Sequence, residues 1–207
     1  MSHTAHDNSP RVLIAGGAGG VGLACAEALP GAELILCDID GIALTHTAER
    51  LSAFARFCDA IEDNSVAILA AEIAEKYSSI DVLINAAGRG YVRALAMMRM
   101  TRAFMPLLRR GTGRRLLVNV GPAGGFVASD GMFPYASSLG AFERLSEALT
   151  EQVKGTSIEV VTIAPKLMRG RLASDCPTNH HGDCREFDNQ VGQGHLRQHS
   201  DIGDRND

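Results

Sequence analysis

Five glycines lie close together near the start of the chain, at positions 16, 17, 19, 20 and 22. An apolar run at residues 12–15 precedes them and has the length and branching of a buried strand, and residues 23–29 have the pattern of a helix. In such a turn, glycines let backbone N–H groups approach a phosphate closely, and the helix start adds unpaired donors and a partial positive charge. The stretch therefore predicts a nucleotide-binding turn with candidate contacts at Gly16, Gly20, Val21 and Gly22.

Polar residues also end the next three strand patterns. Asp38 ends the second strand, 16 residues after Gly22, Asp59 ends the third, and Asn85-Ala86-Ala87-Gly88 ends the fourth. A carboxylate at position 38 accepts hydrogen bonds from the ribose hydroxyls of an adenosine and repels a 2′-phosphate, which favours NAD over NADP as the cofactor. Asp38 and Asp40 could equally cap the helix that follows, and the two roles are compatible.

The elements that must position these residues alternate along the chain. Strand patterns cover residues 12–15, 33–38, 53–59, 80–86, 115–120 and 157–164, and helical patterns cover residues 23–29, 42–51, 65–77, 91–110 and 134–153. Strands separated by helices predict a parallel sheet that is covered on both faces. With right-handed crossovers, the prediction is an α/β fold with a Rossmann-type, doubly wound parallel sheet of about six strands.

Length and composition set the organisation of the chain. A chain of 207 residues, 45% hydrophobic and 21% charged, fits one globular domain, which we place at residues 11–168. Residues 1–10 are polar and predict a flexible N-terminus without a secretion signal. Residues 169–207 carry few large apolar side chains and predict a disordered tail. No apolar run is long enough to cross a membrane, and the scattered cysteines fit reduced thiols, so we expect a cytoplasmic protein.

Two further features have residue types that bind ligands in other proteins. The tail contains cysteines and histidines, but their spacing is not that of a zinc site and no apolar scaffold surrounds them, so no metal is predicted. Residues 89–129 contain eight arginines and no acid, so the net charge of −4 leaves −12 (−4 − 8) on the rest of the chain. We favour a solvated helix face for this basic block over a site for nucleic acid, an anionic ligand or an acidic partner.

Taken together, these motifs resemble those of the short-chain dehydrogenase/reductase family over about residues 11–169. The glycines match the family's Thr-Gly-x-x-x-Gly-x-Gly, with Ala15 in place of threonine, and residues 85–88 are similar to its Asn-Asn-Ala-Gly turn. The resemblance implies an oxidoreductase that acts on an alcohol or ketone. It also implies that further contacts to a nicotinamide dinucleotide come from Asp59, Asn85, Ala86, Gly88 and Pro165.

The same resemblance identifies Tyr135, at the start of a helix, as the family's catalytic tyrosine, which exchanges a proton with the substrate oxygen. The positions of the family's catalytic lysine, serine and asparagine hold Leu139, Pro122 and Arg93 here. Tyr135 is therefore the catalytic candidate that remains. The chain is either an enzyme with displaced catalytic roles, a non-catalytic sensor or partner subunit of an intact relative, or a degraded remnant.

Two cationic residues, Arg93 and Lys166, are candidates to replace the missing catalytic residues. On a helical projection, Arg93 lies opposite the other arginines of helix 91–110. It could face the sheet and hold an anion, but we favour a surface position because the loop before this helix is short. Lys166 could reach Tyr135, although we favour an exposed loop lysine. The resemblance also implies a homo- or heterodimer formed through helices 91–110 and 135–153.

Overall fold

The computed structural model of the chain describes residues 9–88, 92–121 and 133–163, without the side chains of residues 133–136 and 139. Its centre is a sheet of six parallel strands in the order β3-β2-β1-β4-β5-β6. The strands are β1 (Arg11–Ala15), β2 (Glu33–Asp38), β3 (Phe54–Phe57), β4 (Val82–Asn85), β5 (Arg115–Val120) and β6 (Ile158–Ile163). The predicted Rossmann-type sheet is confirmed, and its order reverses between β1 and β4, where sheets of this kind bind ligands.

Helices connect the strands at nearly the positions that the sequence predicts. They are α1 (Gly20–Glu27), α2 (Gly41–Leu51), α3 (Asp63–Lys76), α4 (Arg93–Arg110) and α5 (Phe133–Gln152). Strand β3 is shorter than predicted because Asp59 starts a turn. Its backbone N–H donates to Ser65 Oγ (2.9 Å), and its carboxylate accepts from the Ile61 N–H (3.0 Å).

Side chains of each strand alternate between the two faces of the sheet, as strand geometry requires. On one face, Leu13, Ile35 and Leu83 are fully buried in the core that α3 and α4 cover. On the other face, Ile14 and Leu36 are fully buried in the core that α1 and α2 cover. Because both faces of β1 and β2 are covered, their apolar runs are continuous rather than alternating, and they hold the turn between β1 and α1 at a fixed place.

An ionic network joins the amino ends of β1, β4 and β5. Asp81 precedes β4 and accepts a hydrogen bond from the backbone N–H of Arg11 (2.8 Å). Its other carboxylate oxygen lies 3.4 Å from Arg115 Nη1. Arg115 is only 3% exposed, and Nη1 also donates to the carbonyl of Arg114 (3.0 Å). This network stabilises the sheet at the edge opposite the carboxyl ends of the strands.

Several arginines of the basic block pair with acids of neighbouring elements. Arg99 and Arg102 of α4 both contact Asp63 of α3 (3.0 and 3.1 Å), and Arg114 contacts Glu159 of β6 (2.7 Å). Arg102, Arg114 and their acids are exposed, as the solvated-face interpretation expects, whereas Arg99 is partly buried.

The remaining expectations about organisation are tested only in part. None of the helices in the three described segments combines the length and the hydropathy needed to cross a membrane. Cys25, Cys37 and Cys58 are free thiols, as predicted for reduced cysteines. The flexible N-terminus, apart from residues 9 and 10, and the predicted tail at residues 169–207 with its cysteines and histidines lie outside the described residues.

Candidate functional site

The glycine turn between β1 and α1 is fixed to the neighbouring strand. The backbone N–H groups of Gly16 and Gly17 both donate to the carbonyl of Cys37, at 2.8 and 3.1 Å. Gly16 has a φ of +83° and Gly20 a φ of +53°, a region that residues with a side chain rarely adopt. The turn therefore depends on glycine for its shape and on β2 for its position.

Close packing explains why two further candidate positions, Gly22 and Gly88, are glycine. A Cβ atom at Gly22 would overlap the carbonyl oxygen of Gly16, so glycine lets α1 approach the turn. Gly88 has a φ of +97°, and a Cβ there would lie 2.7 Å from the Cα of Arg93. By contrast, a Cβ at Gly19 or Gly20 would meet no atom within 4 Å. Gly19 and Gly20, which we call the crown of the turn, are therefore open to solvent space. A phosphate can reach the backbone there.

Asp38 connects the glycine turn to the turn that follows β2. One oxygen of its carboxylate accepts from the backbone N–H of Ala18 (3.0 Å), and the other accepts from the backbone N–H of Asp40 (3.0 Å). Asp40, and not Asp38, caps α2 by accepting from the backbone N–H of Ala43 (3.1 Å). A carboxylate has about four acceptor positions, so Asp38 has the capacity to accept ribose hydroxyls in addition to these two bonds.

Exposed apolar residues lie next to Asp38. Phe57 is its partner on β3 and Ile39 follows it in the chain, and they are 61% and 53% exposed. Ile42 in the first turn of α2 is 77% exposed. Burying such a patch against a planar base would be favourable. Asp59 lies just beyond β3 near this patch. The carboxyl ends of β2 and β3 can therefore accommodate an adenosine.

Two cysteines lie close together near the carboxyl ends of β2 and β3, and no sequence pattern linked them. The thiol of Cys37 in β2 donates a hydrogen bond to the sulfur of Cys58, just after β3. That bond and burial raise the pKa of Cys37 well above its usual value. The same bond, assisted by Ser65, lowers the pKa of Cys58. Cys58 is therefore the more acidic thiol of the two.

Asn85 directs its side chain into a buried polar row. Its Nδ2 donates to Thr101 Oγ1 of α4 (3.0 Å) and to Asn119 Oδ1 of β5 (2.9 Å). Asn119 in turn donates to Ser146 Oγ of α5 (3.2 Å) and is fully buried. The Asn85 side chain is therefore bonded within the core, and both of its amide hydrogens are used there. A polar residue within the apolar strand 116–120 was the sequence signal for Asn119.

Arg93 does not have the surface position that we favoured from the sequence. It is half-buried, and its Nη1 donates to the carbonyl of Val120 at the carboxyl end of β5 (3.2 Å). The correction has a geometric cause, because the first turn of α4 lies close to the end of β4, where a Cβ on Gly88 would be 2.7 Å from the Cα of Arg93. The alternative in which Arg93 faces the sheet is therefore the one observed.

The other predicted site residues are described only in part. The backbone N–H of Ala86 donates to the carbonyl of Ala15 (2.9 Å), which places the turn after β4 beside the glycine turn. Residue 135 lies in the first turn of α5. The side chains of Tyr135 and Leu139, and the whole of Pro122, Pro165 and Lys166, lie outside what the structure describes. Within the described segments, no group of three or more His, Cys, Asp or Glu residues could hold a metal ion.

Comparison with known proteins identifies the family of this chain. The pattern of the short chain dehydrogenase family matches residues 10–180. A 3-oxoacyl-[acyl-carrier-protein] reductase of rhamnolipid biosynthesis from Pseudomonas aeruginosa is 29% identical over 188 residues, 77% of this chain and 73% of the relative. A galactitol 2-dehydrogenase from Cereibacter sphaeroides is 29% identical over 176 residues, 73% of this chain and 68% of the relative.

A solved structure extends the similarity to three dimensions. The complex of RhlG with NADP from Pseudomonas aeruginosa superposes with a TM-score of 0.73 at 25% identity, covering 81% of this chain and 77% of that chain. The two chains therefore share the same fold. With the sequence pattern, the parallel sheet and the glycine turn in agreement, this chain belongs to the short-chain dehydrogenase/reductase family of oxidoreductases.

Proposed function

We propose that this chain binds NAD along the carboxyl edge of its sheet and interconverts an alcohol and a ketone, with Tyr135 as the group that exchanges the proton. The observation that carries the proposal is the open crown at Gly19 and Gly20 beside the carboxylate of Asp38. Side chains at these glycines would occupy the space that a pyrophosphate needs. Bound NAD would supply the hydride acceptor, and the protein would orient both reactants.

The choice of NAD over NADP rests on Asp38. Its negative charge lies where a ribose would bind, so it would attract the two hydroxyls of NAD and repel the 2′-phosphate of NADP. Arg56 of β3 does not offset this charge, because its side chain pairs with Glu72 (2.7 Å) and stacks on Phe54. RhlG was solved with NADP, and the proposal is that this chain differs from it in cofactor preference.

Calorimetric titration tests the cofactor preference. NADH should bind at least about tenfold more tightly than NADPH. The isosteric Asp38→Asn variant removes the charge and should reduce this difference to about threefold or less. Glu75→Gln, at an exposed acid of α3, is the matched control and should leave it unchanged. Equal affinity of the native chain for the two cofactors would contradict the proposal.

The catalytic part of the proposal is tested by turnover. NADH absorbance is followed over a panel of ketones, and the oxidation of the matching alcohols is followed with NAD. Tyr135→Phe should lower kcat by about 100-fold or more, because it removes the proton donor. The competing proposal is a non-catalytic NAD sensor or partner subunit, which the leucine at position 139 and the proline at position 122 favour. NADH binding without turnover over the whole panel would support the sensor and contradict the enzyme.

We further propose that α4 and α5 form a dimer interface with a second copy of the chain. These helices border a groove of about 520 Å³ with a largely apolar lining, which includes Met98, Met105, Leu145 and Leu149. Met98 is 43% exposed, although a side chain of its kind is usually buried. Arg102 and Arg109 of α4 and Gln152 of α5 add polar groups to the lining.

Light scattering coupled to size-exclusion chromatography tests this interface. The native chain should elute with the mass of a dimer, and Met98→Glu should convert it to a monomer because a charge would be buried in the interface. Ile68→Glu is the matched control, since Ile68 is an exposed apolar residue of α3, 63% exposed and outside the groove. A native monomer, or a dimer that survives Met98→Glu, would contradict the interface.

A further inference from the structure

A buried row of polar side chains crosses the sheet near the carboxyl ends of its strands. Asn85 of β4 and Asn119 of β5 are partners in the strand register, and their side chains are joined by a hydrogen bond of 2.9 Å. Asn85 also donates to Thr101 Oγ1 of α4 (3.0 Å). Asn119 donates to Ser146 Oγ of α5 (3.2 Å), and all four residues are at most 3% exposed. The row therefore connects two strands to the two helices that cover them.

The stability of the core does not by itself account for this row. Asn85 Oδ1 has no hydrogen-bond partner among the described residues, and neither has the Oγ1 of Thr162, which lies beside Asn119 on β6. A buried oxygen without a partner costs stability, and an apolar side chain would avoid that cost. Hydrogen bonds have fixed directions, however, so a polar row specifies one arrangement of its elements where apolar packing allows several.

The bond to Ser146 sets how α5 lies on the sheet. Ser146 is fully buried, and Phe142, one turn earlier, packs so near Gly121 that a Cβ there would lie 3.0 Å from its Cε1. The helix thus runs antiparallel to β5, with Ser146 beside Asn119 and Phe142 beside Gly121. Residue 135 is two turns before Phe142, on the same face of the helix and about 10 Å further along its axis. Position 135 therefore lies beyond the end of β5, at the carboxyl edge.

The other end of the row holds the proposed cofactor turn. Asn85 is the last residue of β4, so its side chain is fixed where the chain enters the turn of residues 86–88. That turn lies beside the glycine turn, because its first N–H donates to the last carbonyl of β1 (2.9 Å). The amide of Asn119 is bonded to Asn85 on one side and to Ser146 on the other. One buried side chain thus connects the strand before this turn to the helix that carries the proposed proton donor.

We propose that Asn119 and Ser146 are positioning residues, which align the start of α5 with the cofactor turn and so set Tyr135 against the reacting end of NAD. This inference rests on the proposed function, since it assumes NAD at the carboxyl edge and Tyr135 as the proton donor. Both positioning residues are fully buried and bonded within the core, so they act through α5 and not by contact with the cofactor. They affect its alignment with Tyr135, and its affinity does not depend on them.

The test observes Tyr135 in the protein–NADH complex and does not depend on turnover. The chain has three tyrosines, so NMR of protein that contains isotope-labelled tyrosine gives few signals, and Tyr135→Phe identifies the one from Tyr135. Saturating NADH should shift this signal in the native chain, because the phenol would lie against the nicotinamide. Ser146→Ala removes the acceptor on α5 and should reduce the shift by about half or more, while the Kd for NADH changes by less than about twofold.

Thr101→Val is the matched control, because it removes the other helix hydroxyl of the row, and that hydroxyl belongs to α4. Both variants lose one buried hydrogen bond, so both should lower the melting temperature by a similar amount. Only Ser146→Ala should reduce the shift that NADH causes. A reduced shift in both variants, a native shift in Ser146→Ala, or no shift in a native chain that binds NADH would each overturn the positioning role. If the native chain fails to bind NADH, the proposed function itself fails and the inference falls with it.

Discussion

Replacing Gly22 by alanine is expected to lower the affinity for NADH by about 30-fold or more, which corresponds to about 2 kcal/mol. A Cβ at this position would overlap the carbonyl oxygen of Gly16, so α1 would have to move away from the turn. The backbone N–H groups of the turn that we propose as pyrophosphate donors would move with it. Calorimetric titration with NADH measures the loss, and far-UV circular dichroism verifies that the variant is folded.

Substitutions at two other glycines serve as comparison variants for Gly22→Ala. Gly19→Val adds a side chain to the open crown, where no protein atom lies within 4 Å, so it should weaken NADH binding without a change in melting temperature. Gly41→Ala, at the first residue of α2, also meets no atom and should alter neither quantity. Native-like NADH affinity in both Gly22→Ala and Gly19→Val would contradict the assignment of this turn.

Replacing Asp81 by alanine is expected to lower the free energy of unfolding by about 3 kcal/mol or more. The reason is that Arg115 would remain almost fully buried after losing its carboxylate, and its Nε already has no hydrogen-bond partner among the described residues. The backbone N–H of Arg11 would lose its acceptor as well. Urea denaturation followed by circular dichroism measures the change.

The exposed ion pair between Arg114 and Glu159 is the matched control for this prediction. Glu159→Ala breaks a shorter contact (2.7 Å) than Asp81→Ala does, but both partners are exposed, so the free energy of unfolding should fall far less than in Asp81→Ala. Replacing Arg115 by methionine together with Asp81→Ala should restore part of the stability, because no buried charge remains. An Asp81→Ala variant as stable as Glu159→Ala would contradict this prediction, because the burial of Arg115 would then not raise the cost of losing its carboxylate.

The order of strands and helices was predictable because each element carries its own periodicity. The turn at Gly16–Gly22 was predictable for a related reason, since backbone conformation and close packing there require glycine and leave a local signal. Asp38 could be placed at the end of β2 from the length of the apolar run before it. These features depend on residues close together in the chain.

Contacts between distant residues were not predictable in the same way. Whether Arg93 faces the sheet depends on how α4 packs against Gly88 and β5, and a helical projection gives only relative directions. Cys37 and Cys58 meet because β2 and β3 are neighbours in the sheet, and nothing in either strand pattern shows this. The buried row that begins at Asn85 likewise needs the register of β4 and β5.

The two hydrogen bonds from the glycine turn to Cys37 have a kinetic consequence. Although Gly16 and Gly17 belong to a loop, their amide hydrogens are bonded to a buried strand, so they should exchange with deuterated solvent as slowly as those of β1. A turn held in this way is ordered before any ligand arrives. The loss of backbone entropy therefore accompanies folding rather than association, and a nucleotide meets a preorganised surface.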